Sequence, residues 1–192
     1  MMVPEQQSDT ERKSRLFEKA KSNLQRRHRE ALLASLPTDL SGHLQHSECI
    51  YTPESHRLIA KFHPAWANGI GYEERFVPKG YEFRKLGWVN NALAVVDERG
   101  ITNDKKQALL MFGVPSVYEL EGKRFLVPDL PLFCVEFGWA RAESGRLLPF
   151  STESFSIVAR DISAGIVIDH IWGVLYDPPN PEGVGFEVAT WG

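Results

Sequence analysis

Between Gly71 and Lys85 the chain crowds Glu73, Glu74, Arg75, Lys79, Glu82, Arg84 and Lys85 around Gly71 and Gly80. Groups of these types can share the work of phosphoryl chemistry. A guanidinium holds a phosphate through paired charge-assisted hydrogen bonds, and a carboxylate orients a water. Glycine lets the backbone come close to such a ligand. Glu74 and Arg84 are the catalytic candidates for these two roles. The segment is not a P-loop, because Gly-Lys-Ser/Thr is absent. The competing reading is a solvated loop tied by ion pairs, each contributing about 0–1 kcal/mol.

Over a handful of residues, Gly71 to Arg75 resembles the Gly-x-x-Arg-type phosphate loop of the ParB/sulfiredoxin fold. The resemblance implies a nuclease or nucleotide hydrolase, of which a plasmid fertility-inhibition factor would be one example. In that fold the loop opens a helix, and Pro78 forbids a long one here.

Other constellations carry less chemistry. His43, His46, Cys49, His56 and His63 form a run of possible metal ligands. A structural zinc site usually needs Cys-x2-Cys knuckles, and this run has a single Cys, so neither metal nor cofactor is expected. Asp129 and Glu136 have a nuclease-like order but lack the following Lys. Asp169 and His170 are adjacent, which in a strand sends them to opposite faces. No Gly-x-Ser-x-Gly is present, so a hydrolase triad has no support. Trp66, Trp88, Trp139, Trp172 and Trp191 could stack bases, but packing is their default role.

The basic N-terminal arm is the stronger signal. Residues 11–30 hold eight Lys/Arg against three Glu, although the whole chain has a formal charge of −3. From Pro128 onward there are three Arg against nine Asp/Glu. A basic arm on an acidic body suits a polyanionic partner, and it equally permits the arm to fold back on that body. Arg12, Lys13, Arg15, Lys19, Arg26, Arg27 and Arg29 are the candidate nucleic-acid contacts, because phosphate binding needs cations on a regular surface.

These side chains must be carried by definite elements. Residues 1–7 read as disordered, and Ser8-Asp9-Thr10-Glu11 as a capping box. Leu16, Phe17, Ala20, Leu24, Ala31, Leu32 and Leu36 recur at three- and four-residue spacing, which predicts one helix over 8–36 with a single apolar stripe. Pro37 ends it. Residues 37–47 read as a polar linker, Cys49–Tyr51 as a short strand, and Thr52-Pro53-Glu54 as a helix start. His63 to Gly80 reads as a loop, because Pro64, Gly69, Gly71, Pro78 and Gly80 interrupt it. Tyr81–Val89 predicts a strand, and Asn103–Phe112 a short helix stopped by Gly113. Val117–Leu120 and Arg124–Val127 predict a hairpin about Glu121-Gly122. Leu132–Ala140, Phe155–Ala159, Ile166–Tyr176 and Gly185–Trp191 predict strands, with a rigid turn at Asp177–Gly183.

The 192 residues, 43% hydrophobic and 24% charged, can bury a substantial core. The expected class is α+β: an N-terminal helical arm, then a mostly antiparallel sheet with one or two short packing helices. The expected division is a basic arm over 1–36 and a single α+β domain over 37–192. No secretory signal or membrane span is legible, so a cytoplasmic protein with no membrane partner is expected, with Cys49 and Cys134 reduced. Three functions fit. The first is an accessory or inhibitory protein of a mobile element, docking on nucleic acid or a nucleoprotein complex. The second is an immunity- or chaperone-like protein whose acidic surface covers a basic protein partner. The third is an enzyme using Glu74 and Arg84.

Overall fold

The first helix, α1, runs from Pro4 to Ser35, 32 residues or about 48 Å. The computed structural model describes the backbone of residues 4–67, 73–77, 107–151, 154–172 and 184–191. It describes side chains within 9–62, 107–151, 154–169 and 189–191. The expected capping box is therefore interior, since the helix already begins at Pro4. Proline suits a first helical turn because no N–H is needed there. The expected apolar stripe is also divided. Leu32 and Leu36 are buried, whereas Leu16 is 58% exposed and Leu24 is 36% exposed.

The expected linker is a second helix, α2 (Thr38–His46), which buries Leu40 and Leu44 one turn apart. Strand β1 (Glu48–Ile50) and helix α3 (Glu54–Ala67) follow. Helix α3 continues past Pro64, where a loop was expected, and β2 (Glu73–Val77) falls inside that expected loop. Upstream of Pro64, Ile59 and Phe62 are fully buried and anchor α3 on the sheet. The expected strand at Tyr81–Val89 lies outside the described residues, as does the turn at Asp177–Gly183.

Where a helix was expected over Asn103–Phe112, the chain forms β3 (Gln107–Phe112). Its residues are buried on both faces after Gln107, so no alternation marks it as a strand. Strands β4 (Ser116–Leu120) and β5 (Lys123–Val127) form the expected hairpin. Glu121 and Gly122 both take positive φ, at 51° and 74°, as a two-residue turn of the right-twisting type requires. The expected strand over Leu132–Ala140 is cut short: β6 (Leu132–Glu136) gives way to helix α4 (Phe137–Leu147) and a single 3₁₀ turn. Strands β7 (Ser154–Ala159), β8 (Gly165–Trp172) and β9 (Val184–Trp191) complete the described elements.

Seven strands form one sheet in the order β1-β6-β3-β7-β8-β9-β2, and every pairing described is antiparallel. The α+β class is thus the observed one. One face packs Leu32, Leu36, Leu40, Leu44 and the α4 residues Phe137, Ala140 and Leu147 against Leu110, Phe133 and Phe155. The other packs Ile59 and Phe62 of α3 against Leu109, Met111, Leu132 and Val158. Cys49 lies opposite Phe133 and packs with the first cluster, while Cys134 belongs to the second. The sheet separates the two thiols, and both are free. Burial pushes the Cys134 thiol up to about 11 and raises that of Cys49 as well.

At the β7–β8 turn the Trp191 ring covers Gly165, its register partner. A Cβ on Gly165 would meet the ring at 2.1 Å, and the indole Nε1 is held by the Ile162 carbonyl at 3.0 Å. Gly165→Ala is therefore expected to cost about 1–3 kcal/mol through overpacking. Urea denaturation checks this, and an unchanged midpoint would show that the ring moves aside freely.

Candidate nucleic-acid interface

Helix α1 is fixed to the body along one side. Phe17 packs on Tyr118 and Phe125, with ring centroids 5.6 and 5.2 Å away. Lys21 Nζ lies 3.5 Å from the Tyr118 ring centroid, a cation–π contact. Gln25, only 1% exposed, sits deeper. Its Nε2 donates to the Pro128 carbonyl at 2.9 Å, and its Oε1 accepts from the Thr52 N–H at 2.9 Å. Sequence reasoning missed this residue, because a polar side chain in a basic helix gives no sign of being buried.

Of the seven predicted phosphate contacts, three have partners within the chain. Lys13 pairs with Asp9 at 3.1 Å and with Glu121 of the hairpin turn at 3.2 Å, and these carboxylates raise its pKa. Arg26 donates to Asn23 at 2.9 Å and lies 5.0 Å from the Tyr51 ring centroid. Arg29 is half-buried; its Nε donates to Cys49 Sγ at 3.2 Å and a terminal nitrogen to the Gln45 carbonyl at 3.0 Å. These contacts tie α1 to α2 and β1.

Arg12, Arg15, Lys19 and Arg27 are exposed. Among the described residues none of the four has an ion pair or hydrogen bond. At 100° per residue they fall within about a third of the helix circumference, opposite Gln25 and Leu32. Arg12, Arg15 and Lys19 line a shallow groove of about 300 Å³ with Glu11 and Leu16. The outer face thus carries exposed cations with Leu16 exposed between them.

Among the described side chains the other candidates do not assemble into one centre. Glu74 lies in β2, its backbone opposite Glu187, while its side chain and the whole of Arg84 are outside the described residues. His43 stacks on Trp139 with centroids 3.7 Å apart, and His46 Nδ1 lies 2.7 Å from the Gly42 carbonyl. His56 Nδ1 accepts from the Leu126 N–H at 2.9 Å. Three of the histidines and Cys49 thus serve separate local contacts, and among the described residues no three His, Cys, Asp or Glu could share a metal ion. The side chain of His63 lies outside the described residues. Asp129 is exposed beside His28, and Glu136 closes β6, so they do not form a nuclease pair on adjacent strands.

No helix among the described residues is long and apolar enough to cross a membrane. Residues 8–190 match the model of a family described as YokC prophage protein. Across 183 residues the chain is 24% identical to the SPbeta prophage-derived uncharacterized protein YokC of Bacillus subtilis strain 168, covering 94% of this chain and 98% of that protein. No solved structure matches. The matched span runs from the first turns of α1 to the end of β9, so the basic helix lies within the shared sequence.

Proposed function

The chain belongs to the YokC prophage protein family, and from that premise we propose that it is an accessory or inhibitory protein of a mobile element, docking through the outer face of α1 on nucleic acid within a nucleoprotein complex. The observation that carries this reading is the set of exposed cations Arg12, Arg15, Lys19 and Arg27, which have no ion pair among the described residues. A helix held to its body by one face presents the opposite face rigidly, and cations fixed there meet phosphates with little ordering cost. The acidic excess beyond Pro128 favours contact by this face alone, since like charge repels the rest of the body from a polyanion. Leu16, exposed between the cations, suits a protein component of the same complex.

Four phosphate contacts give a salt slope of about −3.6 on duplex DNA, so affinity falls by about 100-fold between 50 and 200 mM salt. Reversing Arg12, Arg15, Lys19 and Arg27 to Glu together is expected to abolish binding, and each single reversal to lower the slope by about 0.9. Fluorescence anisotropy with labelled duplex and single-stranded oligonucleotides measures both. If the wild-type protein binds neither at 50 mM salt, docking on nucleic acid is wrong and a protein partner takes its place.

A further inference from the structure

Beside α1, next to its cationic face, lies a cavity of about 480 Å³. Phe112, Leu130 and Phe150 give it apolar walls, and His28, Ser116 and Asp129 line it with polar groups. An apolar lining of that size with a few polar groups is the usual make-up of a small-ligand site. The loop that carries Asp129 is held in place by α1. His28 Nδ1 donates to the Asp129 carbonyl at 3.0 Å, and Gln25 Nε2 donates to the Pro128 carbonyl at 2.9 Å. Pro128 and Pro131 fix φ at the two ends of this loop. The half-buried Ser116 hydroxyl and the exposed Asp129 carboxylate have no ion pair or hydrogen bond among the described residues. An aromatic cavity is thus lined by two polar groups whose hydrogen-bonding capacity is unspent.

On the premise that α1 docks on nucleic acid, we propose that this cavity takes one unpaired guanine base of the bound strand. Arg27 borders it: Ala31, one helical turn on, is a lining residue, and positions four apart are neighbours on a helix surface. A phosphate held by Arg27 therefore brings its own base to the cavity. The Asp129 carboxylate repels phosphate, so the base enters while the backbone stays on the cations. Aromatic and apolar walls suit the flat face of a base, which stacks on such side chains whatever its identity. The carboxylate then selects. It only accepts hydrogen bonds, and it can accept two side by side. An unpaired base is read on its Watson–Crick edge, and there guanine offers two adjacent donors, N1–H and N2–H. Adenine and cytosine set a ring-nitrogen acceptor beside their amino group, and thymine and uracil flank N3–H with carbonyls. Each of these turns a lone pair toward the carboxylate. The Ser116 hydroxyl can donate to guanine O6, which stands next to N1–H.

Fluorescence anisotropy of the full-length protein at about 50 mM salt compares labelled single-stranded oligothymidylate with the same strand carrying one central guanine. The guanine strand is expected to bind about 10-fold tighter, the discrimination of one good bidentate pair. Inosine at that place, which lacks the N2 amino group, is expected to lose most of the preference. Asp129→Asn is expected to bring the two strands close to parity, although losing a negative charge raises affinity for both. Glu119→Gln, an exposed carboxylate outside the cavity lining, removes the same charge and keeps the preference. If Asp129→Asn does not fold, Ser116→Ala takes its place and is expected to cut the preference about 3-fold. Saturation-transfer NMR with free guanosine and adenosine reads the cavity without the cations of α1, and transfer to guanosine in excess of adenosine is expected. Equal affinity of the wild type for the two strands overturns the guanine site and leaves docking standing. If neither strand binds, docking fails and the nucleosides decide the site: no transfer to guanosine, or equal transfer to adenosine, overturns it. An unchanged preference in Asp129→Asn overturns it too.

Discussion

Replacing Gln25 with leucine is expected to destabilise the protein by about 3 kcal/mol, although the substitution keeps helix propensity and side-chain bulk. The reason lies in the two groups left behind. Gln25 is 1% exposed and gives its amide N–H to the Pro128 carbonyl while taking the Thr52 N–H. Thr52 is 5% exposed and Pro128 is buried, so neither freed backbone group reaches water easily. Each buried orphan costs about 1–3 kcal/mol. Gln25→Glu adds a pH signature. A carboxylate can still accept from Thr52 but donates to Pro128 only when protonated, so the folded state raises the pKa of that glutamate. Its deficit against wild type is then largest near neutrality and shrinks as pH falls through the raised pKa. Urea denaturation of the three proteins at several pH values measures both effects. A leucine variant within about 0.5 kcal/mol of wild type would mean that solvent replaces both bonds.

The elements that were legible are those whose signal is local. Pro37 stops α1, and Glu121-Gly122 turns the hairpin through a conformation that glycine adopts freely. The start of α1 was misjudged because Ser8 and Glu11 have capping-box spacing, while Pro4 followed by Glu5 carries an equally valid first-turn signal. The most instructive error is β3. Ala108-Leu-Leu-Met-Phe112 has good helix formers and no alternation, yet it is a strand between two helical layers. A strand buried on both faces has no polar side to reveal its period, so only the tertiary setting separates it from a buried helix. Helix α2 escaped for the opposite reason: only Leu40 and Leu44 are buried in a stretch otherwise made of polar residues and glycine.

The cations of the candidate interface could be found from composition, but their partition could not. Lys13 reaches Glu121 across 108 positions, and Arg29 reaches Cys49 across 20. Helical spacing puts Arg26 on the outer arc, and only the contact with Tyr51 shows it turned toward the body.

A chain lacking residues 1–36 is expected to lose its cooperative fold, well beyond the ellipticity of one helix. Leu32 and Leu36 are each 7% exposed within the main core cluster, and truncating a buried leucine costs about 2–5 kcal/mol. Loss of Gln25 adds its two orphaned partners, and loss of Phe17 uncovers Tyr118 and Phe125. Together these reach about 10 kcal/mol, comparable to the 5–15 kcal/mol that holds a typical domain. Near-UV circular dichroism of the truncated chain should therefore be flat, and its thermal transition broad or missing. A sharp transition with only α1's helical signal gone would instead mark α1 as a detachable arm. The two outcomes bear directly on docking. If the inner face of α1 holds the fold, truncation cannot report on binding, because an unfolded chain binds nothing specifically. Charge reversal at Arg12, Arg15, Lys19 and Arg27 then remains informative, since exposed cations without partners among the described residues can be replaced with little change in stability.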